Sequence, residues 1–370
     1  MKYRRFGNTG KKVSALGFGM MRLPLLQADD PSSIDKAHAV RMVEEALAGG
    51  VNYFDTAWPY HGGESETFLG EVLKGKDVFI ADKAPVWEIE SHEDFHRTLD
   101  EQLRKLQRDH IDFYLLHALG QERWENVKKI DLLDAVVQAQ QAGKIGHIGF
   151  SFHDSKEVFL DILNYFPWDF CQVQMNYVDT DYQATLEGVH QAAAKGLGVV
   201  IMEPLRGGKL AEPPERILDM LGREENPVQW AFDFLWNMPE VSLLLSGMSH
   251  LDHVRDNLIY ASQSSIGKLS LEELETLKEA GHIFRNMSKV ACTRCEYCMP
   301  CPFGLDIPEI FEIYNATALE SKEKMRKRYE KMDKKASDCT QCENCAPQCP
   351  QFIQIPQEMK KISNYFEKEA

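Results

Sequence analysis

An alternation constrains this chain more than any other feature. Eight short runs rich in β-branched or aromatic residues recur at 15–19, 51–56, 78–83, 111–117, 145–151, 170–176, 197–203 and 241–247. Helix-period stretches separate them at 35–48, 64–74, 93–107, 129–142 and 184–195, and another follows at 251–262. Several of these stop at glycine (Gly49-Gly50, Gly143, Gly196), the residue favoured where a helix turns off into left-handed backbone. Eight strands alternating with helices over roughly 250 residues predict an α/β chain folded as a (β/α)8 TIM barrel. A doubly wound sheet would carry Gly-x-Gly-x-x-Gly after its first strand. Gly17-Phe-Gly19-Met-Met-Arg22 lacks the third glycine. Ahead of the alternation, residues 2–6 and 12–16 flank Gly7-Asn8-Thr9-Gly10 and predict an N-terminal β-hairpin.

A further helix is expected at 270–284, and after Ser288 the composition shifts to cysteine and proline. Eight of the nine cysteines form two runs: Cys292, Cys295, Cys298, Cys301-Pro302, and Cys339, Cys342, Cys345, Cys349-Pro350. The second has the C-x2-C-x2-C-x3-C-P spacing of bacterial ferredoxins, and the first is one residue shorter before its last cysteine. Three thiolates two residues apart hold three corners of a cubane. In two-cluster ferredoxins the last cysteine of each run serves the other cluster. Two [4Fe–4S] clusters are therefore expected, one on Cys292, Cys295, Cys298 and Cys349, the other on Cys339, Cys342, Cys345 and Cys301. Zinc is the minor alternative, since it usually takes two separated C-x2-C pairs. A disulfide framework is the poorer third option without a secretory signal. The ninth cysteine, Cys171, sits in an apolar strand and reads as a small core residue.

The expected domains are 1–285, the barrel, and 286–370, a small α-helical ferredoxin-like unit. Residues 302–338, between the cysteine runs, read as helical and carry Lys322, Lys324, Arg326, Lys327, Arg328, Lys331, Lys334 and Lys335. This basic helix at 322–335 is either a solvated face or a dock for an acidic electron-carrier protein. The formal charge of −15 disfavours nucleic acid as a partner. No apolar run reaches the ~18–20 residues of a membrane span, and no signal-peptide core follows Met1-Lys-Tyr-Arg-Arg. The expected location is a reducing cytoplasm.

Barrel enzymes place their chemistry at the C-terminal ends of strands. Asp55 follows Val51-Asn-Tyr-Phe, Tyr60 comes five residues later, Lys83 ends the third run and His117 the fourth. Together they set Asp, Tyr, Lys and His around one mouth. With Gly-Val-Asn-Tyr-Phe-Asp-Thr-Ala before Tyr60, residues 1–284 resemble the aldo-keto reductase superfamily. Cys292-Thr-Arg-Cys-Glu-Tyr-Cys-Met-Pro-Cys-Pro-Phe-Gly-Leu-Asp-Ile-Pro resembles the tail of the branch that carries a C-terminal 4Fe–4S dicluster domain.

The resemblance implies a nicotinamide-dependent oxidoreductase acting on a small-molecule carbonyl or alcohol. A phenol of pKa near ~10 is a reluctant acid, and a neighbouring ammonium stabilises its phenolate. Lys83 would do this for Tyr60, Asp55 would fix Lys83, and His117 would orient the substrate oxygen. By the same resemblance Gly19, Met20, Met21, Asp55, Ser151, Gln172, Met202 and Pro204 line the nicotinamide half of the dinucleotide. Leu205, Gly207 and Gly208 match the loop over its pyrophosphate, and Gly247, His253, Asp256 and Asn257 match the adenine end. Phe152 stands where the family usually has an asparagine that contacts the carboxamide. Gly247 and Met248 stand where its NADPH users place a cation, so NADP(H) and NAD(H) are both candidates. Trp58, Trp87 and Trp124 are candidates to line the substrate pocket. The clusters would be structural or would exchange electrons with an outside carrier. A one-electron oxidoreductase and a non-catalytic redox sensor are the competing functions.

Overall fold

The computed structural model describes residues 1–28, 30–222 and 226–368. Strands β1 (Tyr3–Arg5) and β2 (Lys12–Ser14) form the expected hairpin. Eight parallel strands follow: β3 (Leu16–Gly19), β4 (Tyr53–Asp55), β5 (Phe79–Ala84), β6 (Ile111–Leu119), β7 (Ile145–Phe152), β8 (Phe170–Gln174), β9 (Gly198–Met202) and β10 (Val241–Gly247). They close in sequence order, β10 pairing with β3, into the expected barrel. Each expected run overlaps one of them, and β5 and β7 each extend one residue past their expected ends. β6 continues two residues beyond its expected end, past a register shift between Leu116 and Leu119 and a left-handed Ala118 (φ 52°).

The helices are α1 (Lys36–Ala48), α2 (Glu64–Val72), α3 (His92–Leu106), α4 (Gln121–Lys129), α5 (Leu132–Gln141), α6 (Lys156–Tyr165), α7 (Thr185–Ala194), α8 (Glu215–Leu221), α9 (Pro227–Trp236), α10 (Leu251–Gln263) and α11 (Leu271–Met287). α3 shows why the local sequence folds as it does. Ser91 caps it by accepting from the Asp94 N–H, acids fill its first turn, and Arg104 and Lys105 fill its last. Phe95, Leu99, Leu103 and Leu106 recur at helical spacing and form its buried stripe. None of the helices is long and apolar enough to cross a membrane among the described residues.

The barrel interior is plugged from below by the hairpin. Phe6 is fully buried, 4.5 Å from Phe113 and 5.4 Å from Phe170 between ring centres, within a core that includes Tyr53, Val200 and Leu243. This packing leaves only the opposite end of the barrel open for polar side chains.

Two compact units divide the chain: Met1–Pro204 with Gln229–Leu271, and Leu205–Val228 with Glu272–Ala370. The second therefore includes a segment from the middle of the sequence. Its core gathers Leu305, Ile310, Phe311, Tyr329, Met359 and Phe366 around α12 (Ile307–Ala316), α13 (Lys322–Glu330) and α14 (Ile355–Phe366). Each cysteine run leads into a helix in the same way. Cys301-Pro302 and Cys349-Pro350 are each followed, at equal spacing, by a buried Leu305 or Ile353 and then by Ile307-Pro308 or Ile355-Pro356 at the helix start. Proline at the first turn has no N–H to leave unbonded there.

α2 and α3 approach so closely at Gly70 that a Cβ there would lie 2.6 Å from the Leu106 carbonyl carbon. Gly70→Ala is expected to destabilise the barrel by about 1–3 kcal/mol through overpacking. Chemical denaturation followed by tryptophan fluorescence checks this, and an unchanged midpoint would refute the close approach.

Candidate active site and cysteine centres

The strand ends bring the four predicted residues together. Asp55 ends β4, Lys83 lies near the end of β5, His117 lies on β6, and Tyr60 opens the short turn after β4. Lys83 is fully buried. Its ammonium donates to Asp55 Oδ1 at 2.7 Å and to the Thr56 carbonyl at 2.6 Å. The same nitrogen lies 4.9 Å from the Tyr60 ring centre. The Tyr60 and His117 rings stand edge to face, 6.1 Å apart at 82°.

Burial controls the charges. It raises the Asp55 pKa, against the lowering effect of Lys83. It pushes the His117 pKa well below the ordinary imidazole value, helped by the positive charges of Lys83 and Arg123. His117 is thus neutral at physiological pH. Trp87 lies 5.1 Å from the His117 ring and is 41 % exposed, with Arg123 over its other neighbourhood at 4.8 Å. Trp58 donates to Glu88 and carries Lys105 over its ring. Trp124 is fully buried and donates to Asp161, so it is a packing residue and does not line a pocket.

The mouth also fits a polar cofactor. Asp55 Oδ2, His117 Nδ1 and Gln172 Oε1 are buried with no hydrogen-bond partner among the described residues. Such atoms cost about 1–3 kcal/mol each unless a partner arrives. A carboxamide carries the N–H donors that Gln172 Oε1 lacks. Gln172 Nε2 lies 3.8 Å from the Met202 sulfur, and Ser151 Oγ accepts from the Ala118 N–H at 2.7 Å. Gly19 pairs with Gly247 across the seam and with Asp55 on its other side. Met20 is buried, and its carbonyl is hydrogen-bonded by His61, while Met21 beside it is half-buried.

At the end of β10, Asn257 donates to Ser246 Oγ at 3.1 Å. His253 stands 5.9 Å from His250, and burial with that neighbour lowers its pKa. Asp256 lies on the same helix, α10. Arg22 lies across Gly247, where a Cβ would come within 2.8 Å of its Cγ. Nothing in the sequence signals this pairing of residues from opposite ends of the barrel sheet. Leu205, Gly207 and Gly208 lie in the second unit, and Pro204 ends a segment of the first.

Sequence reasoning also missed a polar layer behind Lys83. Gln102 Nε2 donates to the Lys83 carbonyl and to Glu66 Oε1, both at 3.0 Å, and Gln102 Oε1 accepts from Tyr114 at 2.6 Å. Lys105 pairs with Glu66 at 2.8 Å. Asp82 lies in this layer, fully buried, accepting the Lys83 N–H at 2.8 Å.

In the second unit the thiols gather in two groups. Cys301, Cys339, Cys342 and Cys345 line one cavity with Phe303 and Met359. Burial raises the Cys298 pKa, followed by the field of Cys295, Cys292, Cys349 and Cys345. Cys349 likewise feels Cys292, so the last thiol of each run sits with the other run. The runs share one backbone path: Arg294 and Gln341, then Glu296 and Glu343, all have positive φ at matching positions. No group of three or more His, Cys, Asp or Glu among the described residues is spaced for a single ion. Thiolates on one zinc would stand about 3.8 Å apart, whereas those on a cubane bind different irons and spread wider. Two groups of four thiols are the donor set that two cubanes take. On α13 the expected basic face is largely paired, with Lys324, Arg326, Lys327 and Arg328 held by glutamates.

Comparison with known proteins agrees with this geometry. The sequence model of the aldo/keto reductase family matches residues 15–281, and that of a 4Fe–4S dicluster domain matches 289–353. The chain belongs to the aldo-keto reductase family, whose members are oxidoreductases, and carries a C-terminal 4Fe–4S dicluster domain. It is 29% identical over 306 residues to L-galactose dehydrogenase of Arabidopsis thaliana, covering 75% of this chain and 93% of that protein. It is 28% identical over 231 residues to 6-dehydroglucose reductase of Novosphingobium aromaticivorans, covering 57% of this chain and 71% of that one. An aldo-keto reductase of Bacillus halodurans in its holo form superposes with a TM-score of 0.65 at 25% identity, over 76% of this chain and 96% of that one.

Asp82 has a consequence for stability. Burial, then the nearby Glu66 carboxylate, raise its pKa well above the ordinary value. The folded chain therefore holds this proton more tightly than the unfolded chain. Stability falls as pH rises from the unfolded carboxylate value towards the folded one. Asp82→Asn cannot ionise and escapes that loss. It is expected to stabilise the barrel at about pH 8 and to change little at about pH 4. Denaturation midpoints at the two pH values check this, and greater stabilisation on the acid side would overturn it.

Proposed function

We propose that the barrel reduces the carbonyl of a small molecule, or oxidises the matching alcohol, with Tyr60 as the acid and base. The observation that carries this reading is the buried Lys83 ammonium, paired with Asp55 at 2.7 Å and 4.9 Å from the Tyr60 ring centre. A nicotinamide dinucleotide, NADP(H) or NAD(H), supplies or accepts the hydride when bound. Tyr60 gives its proton to the carbonyl oxygen, and Lys83 stabilises the phenolate left behind. Each unit by which the phenol pKa falls is worth ~1.4 kcal/mol. Asp55 holds Lys83 in place and offsets the cost of burying it. Neutral His117 donates a hydrogen bond to the substrate oxygen without placing a second positive charge beside Lys83.

Ser151 and Gln172 hold the carboxamide, with Gly19, Met20, Met21, Met202 and Pro204 around the nicotinamide. Gly247, His253, Asp256 and Asn257 take the adenine end. The Arg22 stem lies across Gly247, a position where the family's NADPH users place a cation, and this supports NADP(H). The two relatives named for sugar-type molecules support a polyhydroxylated carbonyl or alcohol as the substrate class.

In the second unit, Cys292, Cys295, Cys298 and Cys349 would hold one [4Fe–4S] cluster and Cys339, Cys342, Cys345 and Cys301 the other. Cys342 is exposed, which supports single-electron exchange with an outside carrier at the second cluster. The internal pairing of α13 weakens its pull on an acidic one.

Tyr60→Phe is expected to lower kcat/KM for carbonyl reduction by about 10²–10⁴-fold while leaving dinucleotide binding intact. Steady-state kinetics with a fluorescence titration test this, and wild-type turnover would refute the assignment. Anaerobically purified protein is expected to contain about eight irons and eight sulfides per chain. Metal and sulfide analysis returning one zinc, or about four irons, would refute the pair of cubanes.

A further inference from the structure

The end of β5 loses its neighbour where it carries Lys83. β4 stops at Asp55, and beyond it the Thr56 N–H still donates to the Ala81 carbonyl at 2.9 Å. Carbonyls two residues apart on a strand point the same way, so that of Lys83 faces the side β4 has left. A buried carbonyl without a donor is costly.

Gln102 of α3 supplies the donor. Its Nε2 donates to the Lys83 carbonyl and to Glu66 Oε1, both at 3.0 Å, while its Oε1 accepts from the Tyr114 hydroxyl at 2.6 Å. Both amide hydrogens and the amide oxygen are thus engaged, and the side chain is fully buried. Its partners lie on β5, α2 and β6, so the amide has no freedom to turn. Glu66 is fixed in its turn by Lys105 at 2.8 Å.

Lys83 is tied to α2 at both of its ends. The backbone end runs through Gln102 to Glu66. The ammonium end runs through the Thr56 carbonyl, and Thr56 Oγ1 lies 2.8 Å from Ser65 Oγ, the neighbour of Glu66. α2 begins at Glu64, directly after the short turn that Tyr60 opens. The element that follows Tyr60 is therefore the one that Gln102 joins to the Lys83 backbone.

We infer that Gln102 is a positioning residue of the proposed reaction: it ties the Lys83 backbone to α2 and so holds the ammonium in place beside the Tyr60 ring. The inference rests on the roles proposed above for Lys83 and Tyr60. Without the amide, the Lys83 carbonyl and Glu66 both lose a donor, and the ammonium keeps only the ties of its side chain. An ammonium further from the phenol stabilises the phenolate less.

The test uses full-length protein labelled with 3-fluorotyrosine and followed by fluorine NMR during pH titration. The signal missing from Tyr60→Phe identifies Tyr60. His117, which stands against the Tyr60 ring, is already neutral in this range, and Asp55 stays paired with Lys83. Gln102→Met keeps the bulk and removes the hydrogen bonds. It is expected to move the Tyr60 midpoint upward by about half to one pH unit. Tyr114→Phe, which frees one side of the amide, is expected to move it the same way by less. With 4-nitrobenzaldehyde as the probe, kcat in Gln102→Met is expected to fall about 10-fold with dinucleotide affinity unchanged. An unmoved or lowered midpoint in folded Gln102→Met, or a kcat equal to the wild type, would overturn the inference. Should Gln102→Met not fold, the Tyr114→Phe midpoint decides in the same way. A wild type inactive on the probe, with the midpoints moving as expected, would count against the carbonyl reading and leave the positioning role standing.

Discussion

The mouth of the barrel depends on one ion pair, Lys83 with Asp55. An ammonium taken fully out of water is tolerated only where a carboxylate and further acceptors replace its hydration. Asp55 and the Thr56 carbonyl provide them. These groups come from β4 and the residue after it, while Lys83 comes from β5, so the pair also fastens two neighbouring strand ends. Asp55 is itself held in register between Gly19 and Ala81. A side chain placed by paired backbone on both sides has little freedom, and that rigidity passes to the ammonium and to the space beside Tyr60.

Burial then sorts the remaining charges. Burial keeps His117 neutral, helped by the positive charge of Lys83. It also keeps Asp82, on the far side of β5, disposed to hold a proton. The proposed chemistry draws on this contrast: one fixed positive charge next to a phenol, with a neutral donor opposite.

Much of this was legible because strand ends are local features. A polar residue closing an apolar run can be read without knowing its neighbours, and Asp55, Lys83 and His117 are all of this kind. The cysteine runs were legible for a similar reason, since ligand spacing is a property of a few consecutive residues. Contacts that join distant segments were not. Arg22 meets Gly247 only because β3 and β10 close the barrel. Gln102 links the Lys83 carbonyl to Glu66 only because α2 and α3 pack together. The left-handed Ala118, which follows His117 at the break in β6 pairing, carries no glycine to announce it. The repeated path from Cys-Pro to Ile-Pro is also a local feature, written at equal spacing after each cysteine run.

The second unit is assembled from two stretches of chain, with part of the barrel lying between them in the sequence. During synthesis residues 205–228 leave the ribosome well before the cysteines that Lys209 and Gly207 will meet. The contacts of Gly207 with Thr293 and of Lys209 with the Cys292 carbonyl, both within the second unit, can thus form only once the tail has been made.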